Sequence, residues 1–575
     1  MDAARYFRHP ASDGQRHYEV LRASFLDRLS ARIVAERFQL TPGNVRVLRH
    51  RFKKGLLTFS FRPADAPDTR RGTPAELRSR IVQLRREHGI SAGQIAEILD
   101  DEEIEVGIRT VERILREAGL PKLPRRTRLA IGQTRARTTV PETSRRLSPS
   151  EIEGTSVSSD VAGVFLFLPF LEQLGLPGQM SRLALPGSKP IPALNYFLSF
   201  LALKLAGTER LSHTNDHNFD VGLGLFAGLN VLPKCTAMST YAYSLDGSAV
   251  DHLQSAAASA GHRLGLYGGD TINLDFHAVP HWGEQSVLDK NWVGTRGKGI
   301  KSALTVFAQD SASKLILYTQ ADIRRSEADQ QVHDFVDFWK KIAKSVSATL
   351  VFDSRFTNYR QLAKLDEQGI HFITLRRRGT NLIRAAEQLP ASAWTRVTVD
   401  HPKRKFRRPL VHESRVRLPG YPSPIRQILM RGNGHEKPTF LITNDDESPI
   451  EVLVSRYARR WNVENGIAEA VKFFNLNALS SSILVKVHFD VVLTMIADTL
   501  YYLLARRLRG FEECNAPRIF RHFIRGKGQI TVADGEVVVR FPKRAHNPVL
   551  RAIDWTLLPD RVSWLGNRRL RFQWQ

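Results

Sequence analysis

Three acidic residues in this 575-residue chain stand where the surrounding pattern would hold a carboxylate in place. Asp275 ends the apolar run TINLDF and Asp353 ends ATLVFDS, so both read as residues at the ends of strands. Glu464 lies in YARRWNVENGIAEAVKFF, where helical spacing puts Tyr457, Arg460 and Glu464 on one face. Two carboxylates at strand ends and one on a later helix can hold two divalent metals, the requirement of phosphoryl transfer without a covalent enzyme intermediate. Mg2+ takes few carboxylates and keeps water or substrate oxygens. In that scheme Asp275 bridges both ions, Asp353 holds one and Glu464 the other. Taken singly, each aspartate also reads as a turn or capping residue. Asp270 in YGGD and Asp310 in a hairpin turn compete for the role but suit turns, and Glu469 is rotated away from Glu464 on its helix. Read by spacing, Arg460 pairs with Glu464 at i,i+4 on an exposed helix.

The strand-end aspartates and the Tyr-Arg-Glu series together resemble the DDE transposases of bacterial insertion sequences, and most closely the insertion sequence four superfamily. The resemblance covers roughly 270 to 575 and is densest in DSRFTNYRQLAKLDEQGIHFITLRRRG. Seven residues separate Glu464 from Lys472, where the family signature has six before its lysine, so Lys472 departs from the pattern. The resemblance implies an RNase H-like core with a β-rich insertion and a catalytic, metal-binding trio of Asp275, Asp353 and Glu464. It also implies two Mg2+ ions, with Mn2+ able to substitute, and phosphate contacts from Tyr457 and Arg460. Terminal inverted repeats and target sites of double-stranded DNA would be the partners, met by a homo-oligomer in the synaptic complex. A DNA-binding regulator that has lost catalysis, or an RNase H-like nuclease, are the alternatives.

The elements that would position these residues form a multidomain chain. All-α helix-turn-helix modules come first, and an α/β catalytic core with an inserted β subdomain follows. Residues 1–63 give a first module, in which Thr41 caps and Pro42 begins a basic helix. Ile33, Val34, Phe38, Leu40, Val45, Leu48 and Phe52 read as its apolar face. Residues 72–121 give a second, with Thr73 as cap of its first helix. Arg46, Arg49, Arg109 and Arg113 are the candidate DNA contacts on the two basic helices. A basic linker is expected over 122–158 and a helical domain over 159–265, with Asp160 capping its first helix. The catalytic domain would span 266–510 with its β insertion at about 385–450, and a C-terminal region 511–575 would carry a hairpin at Asp534-Gly535.

Bulk properties agree. Formal net charge is +26 and the pI about 10.3, which favours a polyanionic partner. Residues 1–150 hold 30 Lys and Arg against 18 Asp and Glu, so part of the surplus lies in front. Cys235 and Cys514 are the only cysteines, which excludes a disulfide framework or a thiolate zinc site and fits a reducing cytoplasm. The N-terminal stretch lacks an apolar signal region. A cytoplasmic, nucleoid-associated protein without a membrane partner is the expectation. The longest apolar run contains Asp490 and Asp498 and reads as a buried helix. His213, Asp216, His217 and Asp220 lie among Asn and Gly and read as polar groups of a loop or helix cap rather than metal ligands.

Overall fold

A computed structural model describes residues 13–57, 73–102, 104, 106–120, 123, 141–281, 288–293, 297–400, 406–478 and 483–575. The chain divides into two compact units, Met1–Thr139 and Val140–Gln575.

The first unit holds two helical trios with separate cores. α1 (Asp13–Phe25), α2 (Ala31–Arg37) and α3 (Pro42–Lys53) close on Val20, Leu21, Val34, Phe38, Val45 and Leu48. Thr41 caps α3, its hydroxyl accepting from the Asn44 N–H at 3.2 Å, and Pro42 takes the first helical position. Ile33 and Phe52 depart from the expected apolar face, being 51% and 43% exposed. The short α2 turns only its Val34–Ala35 side inward, and Ile33 lies a hundred degrees round. α4 (Ala75–His88), α5 (Ala92–Asp101) and α6 (Ile108–Glu117) form the second trio around Ile81, Leu84, Ile95, Leu99, Val111 and Ile114. Thr73 does not cap α4, because Pro74 occupies the N-cap position and no side chain bonds there. The Pro- and Arg-rich break at 58–72 and most of the basic stretch before 141 lie outside the described residues.

Among the described residues, the larger of the two sheets in the second unit is mixed and has ten strands. Its strands are β2 (Thr271–Pro280), β3 (Lys290–Val293), β4 (Lys298–Asp310), β5 (Ile316–Ile323), β6 (Thr349–Phe352) and β7 (Phe372–Leu375). They continue with β8 (Thr395–Arg396), β9 (Leu410–Val416), β10 (Ile425–Arg431) and β11 (Thr439–Thr443). β4 pairs antiparallel with β2 on one side and with β3 and β5 on the other; β6 then joins β2 in parallel and β7 joins β6 in parallel. That is the order expected of an RNase H-like core. The strands of 385–450 do not make a subdomain of their own. β11 pairs antiparallel with β7, and β10, β9 and β8 follow, so the insertion extends the central sheet. Without it β7 would present an unpaired edge.

Helices cover both faces. Ile272, Leu274, Leu350 and Phe352 face α9 (Gln331–Ala343) and α10 (Tyr359–Glu367), whereas Val351 and Ile373 face α11 (Ile450–Arg459). α7 (Ala193–Leu205) and α8 (Gly247–Arg263) belong to the mostly helical stretch after 159, and α12 (Trp461–Phe473) and α13 (Leu484–Ala505) follow α11. The expected boundaries near 158, 265 and 510 separate no cores. β1 (Ser156–Ser159) pairs with β12 (Gly528–Ala533) in a five-stranded sheet completed by β13 (Glu536–Phe541), β14 (Arg561–Val562) and β15 (Arg568–Trp574). One apolar cluster runs from Phe165 through Tyr501 to Val539. Tyr501 donates to the Leu205 carbonyl at 2.6 Å, and its ring meets Phe167 at 4.8 Å. Residues 141–158, expected in the linker, are bound into this unit: Ser144 donates to the Val231 carbonyl at 2.7 Å, and Arg146 bridges to Leu229. Asp160 caps no helix; the chain enters a 3-10 turn at Ala162–Phe167, and Asp160 lies 3.9 Å from Lys527. Asp534 and Gly535 take φ of 54° and 73°, forming the expected two-residue turn between β12 and β13. α13 is, among the described residues, the helix long and apolar enough to cross a membrane, yet 78% of its apolar window is buried in this core, and Asp490 pairs with Lys204 at 2.8 Å.

Candidate active site

The parallel register of β2 and β6 brings the two aspartates together. Leu274 lies opposite Phe352, the last residue of β6, so Asp275 within β2 and Asp353 just past the end of β6 come side by side on the face that α11 and α12 cover. Asp275 does not end its strand. β2 runs on to Pro280 against β4, and only its pairing with β6 stops at Leu274. Asp353 opens a turn, its Oδ1 accepting from the Arg355 N–H at 2.8 Å while its carbonyl accepts from Thr374 at 3.2 Å.

Glu464 reaches the same place from α12. The single helix expected through Tyr457 and Glu464 is two helices meeting at Arg460, whose N–H bonds the Tyr457 carbonyl at 3.2 Å. α12 lies close on the sheet at Gly466, where a Cβ would come within 2.5 Å of Gln309 Nε2 on β4. The Arg460 side chain, only 11% exposed, joins the two halves of the site. It donates to Asp275 Oδ2 at 2.8 Å and to Glu464 Oε1 at 2.9 Å, and its guanidinium carbon lies 5.8 Å from the Tyr457 ring centre. Both sequence readings of Arg460 are thereby modified: it pairs with Glu464, but as a buried link to Asp275 rather than on an open surface. Its Nε is buried and has no acceptor among the described residues.

Electrostatics follow from this burial. Desolvation pushes Asp275 up to about 6; Arg460 opposes the shift, and the Asp353 and Glu464 charges add to it. Burial also works against the Arg460 charge, but Asp275, Tyr457, Glu464 and Asp353 outweigh it and hold its pKa above the ordinary arginine value. Desolvation pushes the Tyr457 hydroxyl up to about 12, so it stays protonated at neutral pH. A cleft of about 310 Å³ opens over Asp353, Tyr457, Arg460 and Glu464, with Arg377 and Arg378 in its wall.

Three carboxylates are hard oxygen donors of the kind Mg2+ takes. Among the described residues, however, no three His, Cys, Asp or Glu side chains stand close enough to hold a metal as they are. Arg460 is the cation that these acids share. The donor types fit a divalent metal, which Asp275, Asp353 and Glu464 would hold only with Arg460 displaced from its present bonds to Asp275 and Glu464.

The competing acids have structural partners. Asp270 pairs with Arg456 at 3.2 Å, Asp310 accepts from the N–H groups of Gly269, Ala312 and Ser313, and Glu469 accepts from the Ala516 N–H at 3.0 Å. Asp220 caps Val221–Phe226, accepting from the Leu223 N–H at 2.8 Å. Lys472 is exposed toward the end of α12. In the first unit Arg46 and Arg109 are exposed, and Arg49 is partly covered, its guanidinium carbon 5.5 Å from the Phe25 ring centre. Arg113 is held by Glu117 at 2.9 Å. Sequence reasoning passed over Arg355 and Arg377. The basic end of LRRR and the Arg two places after Asp353 were the available signal.

Residues 277–500 match the family described as Transposase DDE domain. The chain carries a transposase DDE domain, the domain of a phosphoryl-transfer enzyme. Asp353 and Glu464 fall inside the matched DDE domain, and Asp275 lies two residues before it. Among solved structures, the Mos1 transposase paired-end complex with left transposon end is 13% identical over 63% of this chain and 77% of that chain. Its TM-score of 0.13 carries no argument about this DDE domain. No curated protein matches the sequence.

Proposed function

We propose that this chain is a DNA transposase of the insertion sequence four superfamily. On this reading it binds the terminal inverted repeats of its element, cuts them and joins the freed 3′ end to target DNA. The observation that supports this most is the placement of Asp275 on β2 beside Asp353 just past the end of β6, facing Glu464 through Arg460. A pair of Mg2+ ions, or Mn2+ in their stead, supplies charge neutralisation and oxygen activation to phosphoryl transfer when bound. The chain's own groups do the rest. Asp275, Asp353 and Glu464 are the catalytic, metal-holding acids, and Arg460 turns its fork from the carboxylates to a phosphate. Tyr457, protonated, donates to the same phosphate. Water and a 3′-OH are interchangeable in-line nucleophiles, so one site serves cleavage and joining.

The helical trios of the first unit are the DNA-recognition modules, with Arg46, Arg49, Arg109 and Arg113 as contacts. A homo-oligomer would bring two ends together, in the cytoplasm on the nucleoid. The test is cleavage of a labelled element end by the full chain with Mg2+ or Mn2+. Asp275→Asn, Asp353→Asn and Glu464→Gln each abolish cutting and strand transfer while the protein still melts cooperatively. Retained activity in one variant removes that residue from the trio.

A further inference from the structure

Beside the carboxylate cleft lies a second, more open groove of about 560 Å³. Its walls are the turn Arg325–Glu327, the start of α10 and the segment after Asp353. Arg325, Arg355, Arg360 and Arg377 line it, with Asp329 as the one carboxylate among its described lining residues. Asp329 is itself engaged, accepting from Asn358 Nδ2 at 2.6 Å. Arg325, Arg360 and Arg377 have no ion pair among the described residues, and all three are exposed. Arg355 is more rigidly placed. Its guanidinium carbon lies 4.9 Å from the Phe276 ring centre and its NH2 group donates to Asn291 Oδ1 at 3.0 Å, while its backbone N–H holds Asp353. Four guanidinium groups thus line the groove against one occupied carboxylate among its described lining residues, a surplus of positive charge that an anion would relieve.

Arg377 lines both this groove and the carboxylate cleft, so the two adjoin. A single small anion would use one or two of these forks. A row of them leading to an acidic cleft suits a polyanion whose repeated phosphates pass the arginines before one reaches the acids. We propose that this groove holds the backbone phosphates of the DNA strand on one side of the scissile phosphate, with Arg325, Arg355, Arg360 and Arg377 fixing the strand's direction through the site. This rests on the reading of the cleft as the place where DNA is cut, and it is separate from end recognition by the first unit.

The test uses the full chain and a duplex made of the element's terminal sequence continued into flanking DNA. Binding is titrated in EDTA over a range of salt for wild type, Arg325→Gln/Arg360→Gln, and a control pair, Arg569→Gln/Arg571→Gln, on the C-terminal sheet. Loss of two phosphate contacts should flatten the log–log salt slope of the groove variant by about 1.8, with the control unchanged. Neutral methylphosphonate linkages on one side of the scissile phosphate should weaken wild type and leave the groove variant no weaker than before. An unchanged slope, or equal weakening of both proteins by the neutral linkages on either side, overturns the proposal. Cleavage of the same duplex with Mg2+ separates the two failures. If wild type cuts while the groove variant keeps the full slope, only the groove is wrong; if wild type neither binds nor cuts, the transposase reading falls and the groove with it.

Discussion

Asp275 and Arg460 form the least solvated ion pair of the site, with side chains 13% and 11% exposed. Asp275 nevertheless titrates near 6, above its usual range, because burial outweighs the attraction of Arg460. The sign of the consequence is fixed. Between roughly pH 4 and 6 the folded, metal-free protein keeps a proton that the unfolded chain has lost, so stability falls as pH rises through that window and levels above it. The fall should approach about 3 kcal/mol, and Asp275→Asn should lack it. Denaturant titrations in EDTA at several pH values check this; equal pH slopes in both proteins would refute it. Arg460 invites a second measurement. Because it forks between two carboxylates, a point charge cannot stand in for it, and Arg460→Lys should lose about tenfold or more in single-turnover cleavage. Wild-type rates in that variant would make the arginine a mere counter-charge.

The joint between α11 and α12 and the close approach at Gly466 set where Glu464 stands. Gly466→Leu must push α12 away from Gln309, a side chain with 0% exposure, at a cost of roughly 1–3 kcal/mol. Cleavage should suffer more than binding of an element end, because the carboxylate moves while the first unit is untouched. Parallel binding and cleavage assays decide, and equal losses in both would disconnect the helix from the chemistry. In the first unit the exposure of Arg46 and Arg109 contrasts with the engagement of Arg113 by Glu117. A fragment covering 1–120 should bind an element end without metal. Arg46→Ala and Arg109→Ala should each lower its salt slope by about 0.9, and Arg113→Ala by less. A fragment that binds random duplex as tightly as the end would not be choosing the site.

Across the whole molecule, the C-terminal strands belong to the core that holds α12 and α13. Phe523, Ile530, Val537, Val539 and Leu565 share one cluster with Val463, Ile467 and Tyr501. A chain from 140 that stops before 511 therefore loses β12–β15 and bares β1 and the helices behind the site, and it should not melt cooperatively. The same chain carried through to 575 should fold without the first unit, since each unit has its own cores. Calorimetric melting curves of the two shortened chains check both halves of the statement. A cooperative transition in the shorter chain would show that the last 65 residues are peripheral.

What the sequence determined by itself was local or periodic. Apolar runs marked β2, β4, β5, β6 and β7 in order, Thr41-Pro42 marked the start of α3, and Asp534-Gly535 marked a hairpin. Each rests on backbone preferences or side-chain period acting over a few residues. The three acids were legible for the same reason, since each sits in a distinctive short pattern. Tertiary structure alone decided the rest. The insertion joined the central sheet because β7 offers an edge that β11 can pair. The helical stretch and the C-terminal strands merged because β1 and β12 are partners more than 350 residues apart. Arg460 became a buried link because β2 and β6 align in a register that no local pattern states, placing Asp275 within reach of a helix joint 185 residues later. Long-range pairing of edges and burial of charge depend on which surfaces meet, and a sequence read window by window carries no record of that.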